Sequence, residues 1–283
     1  MDIRTDLVTE QREMHTEKLN GAVSSREYNG DVLFEKVCIE TDDAAKALNR
    51  AIGTYITVQF GDLTIISDYS IIRDTVIRAL DELLPNARES VLIVGLGNSD
   101  ITPDAIGPLT ADRMLATRHI SRTLADKLGL SGLKSVSAVI PGVLGKTGIE
   151  SQEIIRGIVE RTKPSAIIAV DALAARRTER LCRTIQLCNT GIAPGSGVQN
   201  SRMEISRDVL GVPVIAVGIP TVVDVASLVA DHTGSKPNNK LGQMMVTPKE
   251  IDLLVRRCAE LLAESLNLFL QPELDVNSLR ALV

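Results

Sequence analysis

Tryptophan is absent from this chain, and all aromatic residues together make up 2% of its 283 positions. A core with so few rings has to be filled by Val, Ile, Leu and Ala, which favours a sheet covered by helices over an aromatic-rich sandwich. Long hydrophobic runs are missing too. The longest are strand-length, far short of the roughly 18 residues of a membrane span. The opening Met1-Asp2-Ile3-Arg4-Thr5-Asp6 has no apolar stretch, so no secretory leader is expected. Neither sign of charge dominates: 31 basic and 36 acidic residues leave a formal net charge of -5. No global field draws such a chain to nucleic acid or to an anionic membrane.

Metal-binding and nucleophilic residues are sparse as well. Cys38, Cys182, Cys188 and Cys258 are scattered and form no C-x-x-C pair, which reads as reduced thiols in the cell interior. His15, His119 and His232 do not cluster. Without H-x-x-x-H or H-E-x-x-H spacing a zinc protease is excluded, and neither metal nor cofactor is expected. His119, following Arg118, reads as a cation at a helix C-terminus. No G-x-S-x-G elbow is present; Gly195-Ser196-Gly197 lacks the strand–elbow–helix context. That stretch is either a flexible loop beside the site or simply a turn.

The remainder, 44% apolar and 24% charged, has the balance of an ordinary globular chain. Residues 1–30 read as a polar extended arm, partly helical. Strands are expected over 32–40, 55–60 and 63–67, forming an edge hairpin or β-extension. Apolar spacing predicts a helix over 71–84, stopped by Pro85. Further strands are expected over 91–96, 135–140, 166–170, 184–188 and 214–217. Helices are expected from Thr102 toward His119, from Ser151 toward Thr162, over 222–230 and over 251–268. A loop is expected over 232–242. This alternation predicts an α/β fold: a parallel-rich twisted sheet flanked by helices, phosphorylase/hydrolase-like, with a small N-terminal β-extension, all in one domain over 1–283.

Two aspartates stand out on this frame. Asp104 lies in the run GLGNSDITPDAIGP at 95–108, and Asp171 closes the apolar run Ala166-Ile167-Ile168-Ala169-Val170. Ligands and chemistry in an open α/β sheet gather just beyond the carboxyl ends of the strands, where both fall. Gly95-Leu96-Gly97 resembles the start of a dinucleotide fingerprint, but Asp100 stands where the third glycine belongs. An acid there repels a pyrophosphate. The glycines read instead as a tight turn that projects Asn98, Asp100 and Asp104. Thr102-Pro103-Asp104 has the form of a helix start, so Asp104 also has a plain structural use beside the helix dipole, worth roughly 0.3–1 kcal/mol. Asp171 has little local polarity to serve except Arg176 and Arg177. Two carboxylates in one site can divide acid and base roles, one held protonated while the other activates water toward an amide carbonyl.

Several runs together carry a resemblance. Besides 95–108 they are PGVLGKTGIE at 141–150, VDALAAR at 170–176, NTGIAPGSG at 189–197, VIAVGIPTVVD at 214–224, MVTPKEID at 245–252 and IRTDL at 3–7. In order and spacing the chain resembles the bacterial spore germination proteases over nearly its whole length. The resemblance implies an endopeptidase of the spore-core cytoplasm that degrades small acid-soluble spore proteins, with a fold related to hydrogenase-maturation endopeptidases. It implies a self-processing zymogen that assembles as a homotetramer. The family's catalytic carboxylates map onto Asp104 and Asp171, and its processing bond onto Asp6-Leu7. Asn98, Asp100, Glu150, Arg176 and Ser196 are the candidate substrate-binding or supporting residues. The chain departs from the family in having only a short loop, from about Asp231 to Met244, where members carry a long insertion before MVTPKEID. Its prosegment would be only Met1 to Asp6. Two other readings are a metal-sensing maturation endopeptidase of the same fold, which needs a nickel-ligating histidine near the carboxylates, and a non-catalytic nucleotide-binding α/β module.

Overall fold

Stretches rich in Val, Ile, Leu and Thr become the strands of one sheet in the computed structural model, which describes residues 5–15, 19–85, 89–127, 132–193, 203–233 and 244–282. Among these residues the strands are β1 (Ala22–Asn29), β2 (Val32–Ile39), β3 (Gly53–Gln59), β4 (Ser90–Gly95), β5 (Ser135–Val139), β6 (Ala166–Ala175), β7 (Thr184–Cys188), β8 (Val214–Asp224) and β9 (Met245–Val246). The helices are α1 (Val8–Glu13), α2 (Asp42–Leu48), α3 (Ser70–Leu83), α4 (Ile106–Ala111), α5 (Arg122–Lys127), α6 (Leu144–Thr147), α7 (Ser151–Thr162), α8 (Arg207–Leu210), α9 (Val225–Thr233), α10 (Ile251–Leu270) and α11 (Val276–Leu282). Strand order is β1-β2-β3-β7-β8-β6-β4-β5, with β9 on β8. No helix of the described residues is long and apolar enough to cross a membrane.

The α/β class is as expected, and the sheet is mixed. β5, β4, β6 and β8 run parallel, whereas β1, β2, β3 and β7 join antiparallel. The link from β6 to β7 explains the change of direction. It holds only residues 176–183, too few for the crossover of a dozen or more that a parallel strand needs.

Side chains alternate between the two faces of each strand. On one face Phe34, Ile56, Ile185, Val217 and Val170 pack with Val76 and Leu80 of α3, Ile106 of α4, and Leu262, Leu266 and Phe269 of α10. Helix α10 can seal this face because Leu254, Val255, Cys258, Leu261, Leu262, Leu266 and Phe269 recur at helical spacing and are buried. On the other face α7 and α8 cover Leu92, Val94, Ile167 and Ala169. Beside them α1 and α2 cover Val37, Ile39, Tyr55 and Cys188.

Four expectations are corrected. Residues 63–67 form no strand: Asp62 Oδ1 accepts from the Thr64 amide and hydroxyl, and Asp62 O from the Ile65 and Ile66 amides. A side chain that captures nearby donors competes with a sheet ladder, and here it makes a turn. The N-terminal arm includes β1, whose residues beyond Ala22 are all exposed, so apolar alternation could not announce it. The helix expected from Thr102 is a 3-10 turn, Thr102–Asp104, followed by the short α4, with no side-chain cap from Thr102. His119 accordingly sits in an exposed turn and not at a helix end. Finally, β6 and β8 run on to Ala175 and Asp224, so Asp171 lies inside a strand and α9 begins only at Val225.

Candidate active site

Strand β4 stops pairing with β6 at the step Gly95–Val170, while β6 continues for five residues beside β8. Asp171 is thus the first residue of β6 without a β4 partner. The residue is 5% exposed, and its Oδ1 accepts the Ala172 amide at 2.9 Å.

The loop leaving β4 brings Asp104 to the same place. Gly97 has φ +115°, and a Cβ there would lie 2.1 Å from the Asp104 carbonyl oxygen, so glycine alone permits the approach. The Asn98 amide donates to Asp104 Oδ2 at 2.8 Å and to Asp104 O at 3.2 Å. Thr221 Oγ1 of β8 donates to Pro103 O at 2.7 Å and ties the 3-10 turn to the sheet. Gly107 lets α4 rest on the strand ends, since a Cβ there would meet Leu96 O at 2.2 Å and Val170 O at 2.4 Å. Asp104 is half-buried.

Both aspartates line one cavity of about 700 Å³, together with Asp6, Arg50, Tyr55 and Gln186. The Tyr55 hydroxyl donates to Ala51 O at 2.9 Å, and burial pushes its phenol up to about 12, so it is a neutral donor at physiological pH. Burial also raises the Cys188 thiol, which keeps it protonated and a poor nucleophile. All four cysteines are free. Among the described residues no three His, Cys, Asp or Glu side chains gather in a way that could hold a metal ion.

The chain's own N-terminal segment enters this cavity. Arg50 Nη2 donates to Thr5 O at 2.6 Å. The Asp6 amide donates to Ala174 O, and the Ala174 amide to Asp6 Oδ2, each at 2.8 Å. These bonds occupy the edge of β6 that β4 leaves open. Leu7 is extended and fully buried, packed with Leu173, Ala175, Leu181 and Val223. Beyond it, the Glu10 carboxylate accepts from the Thr5 hydroxyl and from the Arg176 and Arg177 amides. Desolvation pushes the Glu10 carboxyl above its ordinary value despite these donors.

Not every expected residue joins the site. Asn98 holds Asp104 through its backbone. Asp100 is 70% exposed, pairs with Lys146 and does not line the cavity. Glu150 precedes α7 as its N-cap residue, away from the cavity lining, with Oε2 buried and lacking a hydrogen-bond partner among the described residues. Arg176 offers its backbone amide to Glu10 and is not part of the lining. Ser196 lies outside the described residues. Sequence reasoning missed Arg50, Tyr55, Glu10 and Gln186. Gln186 had a signal: in Thr184-Ile185-Gln186-Leu187-Cys188 a long polar side chain takes an inward position of a central strand, where a buried amide needs partners.

A family model described as germination protease matches residues 2–234. The chain is 38% identical to the germination protease of Clostridium perfringens (strain SM101 / Type A) over 98% of each chain. It is 37% identical to that of Clostridium acetobutylicum over 99% of each, and 33% identical to that of Geobacillus sp. (strain WCH70) over 96% of this chain and 95% of the relative. The first alignment is 330 positions long against 283 residues here, so that relative has residues with no counterpart in this chain. Among solved structures, the NiFe hydrogenase maturation protease HycI from Thermococcus kodakarensis KOD1 is similar over 66% of this chain and 98% of that one, at a TM-score of 0.36 and 18% identity. On the family match and the near-full-length identities, this chain belongs to the germination protease family.

Proposed function

We propose that the protein is an endopeptidase that hydrolyses small acid-soluble spore proteins in the spore core, using Asp104 and Asp171. In the same reading it is a zymogen that cleaves its own Asp6–Leu7 bond. Its 283 residues form one peptidase domain that includes this short prosegment, and the mature enzyme assembles as a homotetramer. The observation that carries the reading is the juxtaposition of Asp6, Asp104 and Asp171 around one cavity. Two carboxyl groups sharing a site disfavour double ionisation, so one stays protonated as the acid while the other serves as the base. The ionised partner takes a proton from water, whose oxygen attacks the carbonyl carbon before the cleaved bond. The protonated partner then supplies a proton to the departing nitrogen.

The segment in the cavity also suggests what a substrate looks like. An acidic residue placed as Asp6 can accept the Ala174 amide, and an apolar residue placed as Leu7 fills the pocket of Leu173, Leu181 and Val223. The test is hydrolysis of a purified small acid-soluble spore protein. Asp104→Asn and Asp171→Asn should each lower the rate by about 10²–10⁴-fold without moving the unfolding midpoint, and activity should survive chelators and thiol blockers. A folded variant of either aspartate with near-wild-type rates would overturn the reading.

A further inference from the structure

Gln186 stands on β7, buried at 7% exposure, and its side chain touches the N-terminal segment twice. Its Nε2 donates to the Asp6 carbonyl oxygen at 2.8 Å. Its Oε1 accepts the Val8 amide at 2.7 Å. An amide N–H can only donate and a carbonyl can only accept, so these partners fix which end of the Gln186 amide is which. The bond from Val8 holds Oε1 and thereby aims Nε2 at the carbonyl of the Asp6–Leu7 peptide bond. We propose that Gln186 is a catalytic residue, whose Nε2 polarises the carbonyl of the bond to be cleaved and donates to the oxyanion that forms on it. This rests on the reading of Asp6–Leu7 as a bond the protein hydrolyses.

The strand register places the parts around that bond. Asp171 of β6 pairs with Gly218 of β8, and Gly218 pairs with Gln186 of β7. Paired residues in neighbouring strands point to the same face, so Asp171 and Gln186 rise on the same side two strand spacings apart, about 10 Å. Between them Gly218 has no side chain, and Leu173 lies across it: a Cβ at 218 would fall 2.5 Å from Leu173 Cγ. Leu7 packs on that leucine. Asp6, Asp104, Asp171 and Gln186 line the same cavity, so the acids and the neutral donor open on one space with the peptide.

The chemical step then balances. Water loses a proton to the ionised aspartate as its oxygen bonds to the Asp6 carbonyl carbon. The carbonyl π pair moves onto oxygen, where the Gln186 N–H meets it. When that pair returns, the C–N bond breaks, and the protonated aspartate supplies the proton that makes the Leu7 nitrogen an amine. Donors already aimed at the developing charge need no reorganisation in the step. Both of these Gln186 side-chain hydrogen bonds are to main-chain atoms, so the same role serves any extended peptide in the cavity.

Gln186→Glu tests this, since it keeps an acceptor for Val8 and removes the donor; Gln186→Met keeps the shape and removes both. Mass spectrometry of the N-terminus follows self-cleavage, and steady-state kinetics on a spore-protein substrate separates kcat from KM. Self-cleavage and kcat should fall about 10²–10³-fold with KM changed only a few-fold. Full-rate cleavage by a folded Gln186 variant, in a protein that Asp171→Asn inactivates, overturns the role of Gln186 alone. A wild-type chain that cleaves neither itself nor the substrate overturns the underlying reading and this role with it. If neither variant folds, a crystal structure of the non-cleaving Asp171→Asn chain decides. Nε2 within hydrogen-bond distance of Asp6 O supports the role, and an amide turned away from it overturns the role.

Discussion

Both faces of the sheet carry apolar clusters, but on one of them a row of polar side chains interrupts the apolar layer. Toward α3 and α10, Phe34, Val58, Ile185, Leu187, Val217 and Val170 make a continuous apolar layer. On the other face the register aligns Arg26, Glu35, Thr57, Gln186, Gly218 and Asp171 in one row across six strands. Glu35 is 1% exposed and pairs with Arg26 at 2.8 Å, and Arg180 reaches both Gln59 and Glu13. Around the row Thr9 Oγ1, Glu35 Oε2, Thr57 Oγ1 and Thr184 Oγ1 are buried without hydrogen-bond partners among the described residues. An atom in such a place with no water to bond it costs about 1–3 kcal/mol. The first face is apolar along the whole of this row. The second accepts a cost, and its polar row ends at Asp171.

The largest effect that would break this contrast is on the apolar face. Phe269 is 1% exposed within the core that α10 seals. Phe269→Ala should cost about 3–5 kcal/mol in denaturant unfolding, while self-cleavage continues below the transition. A loss under about 1 kcal/mol would show that stability lies elsewhere. Leu7→Ala comes next. Leu7 is as buried as any core leucine, but it belongs to the segment and not to the body. Its cost, about 2–5 kcal/mol for a buried leucine, should therefore appear as faster hydrogen exchange over Val8–Glu13, with a smaller shift of the global midpoint. An equal shift of both would mean that segment and body unfold as one.

The same contrast explains what could be read from the sequence. β4, β6 and the first half of β8 are buried on both faces and so are continuous apolar runs, legible without any partner. Asp104 and Asp171 could be read as candidates because Asp171 follows such a run directly and Asp104 lies on the glycine-framed loop that leaves another. β1 was not, because its exposed residues Val23 to Asn29 are specified by pairing with β2. Gln186 and Arg50 were not legible as site residues, because their meaning comes from the N-terminal segment folding back across more than forty residues of chain to meet them. The turn at Asp62 shows the converse error, where apolar Leu63, Ile65 and Ile66 suggested a strand and one local carboxylate decided otherwise.

A smaller effect sharpens the contrast through pH. Burial raises Glu10 above its ordinary value of 4.5, with the Thr5 hydroxyl, the Arg176 and Arg177 amides and the Arg180 charge acting in the opposite direction. An acid whose pKa is raised on docking binds its proton more tightly in the docked state. Its contribution is therefore fully present below the ordinary carboxylate value and lost as pH rises through the raised one. The segment should be held more firmly at about pH 4 than at pH 7, which would favour cleavage of Asp6–Leu7 in mild acid. Hydrogen exchange over Val8–Glu13, corrected for intrinsic rates, should show this dependence, and Glu10→Gln should flatten it. A dependence unchanged in that variant would assign it to other groups, Asp6 and the aspartate pair among them.

The smallest effect sets two consecutive residues against each other. Thr57 and Val58 are both 0% exposed on β3, and alternation sends them to opposite faces. Thr57 carries a buried hydroxyl in the polar row without a partner among the described residues, whereas Val58 packs in the apolar layer. Thr57→Val removes an unsatisfied group at nearly constant volume, so it should be neutral or stabilise by about 1 kcal/mol. Val58→Thr makes the reverse change one residue away and should cost about 1–3 kcal/mol, because a hydroxyl enters a site with nothing to bond it. Opposite signs in denaturant unfolding would support a polar row kept at a cost to stability. If Thr57→Val instead loses more than about 1 kcal/mol, the hydroxyl is satisfied by buried water, and the row is a bonded network that contributes to the fold.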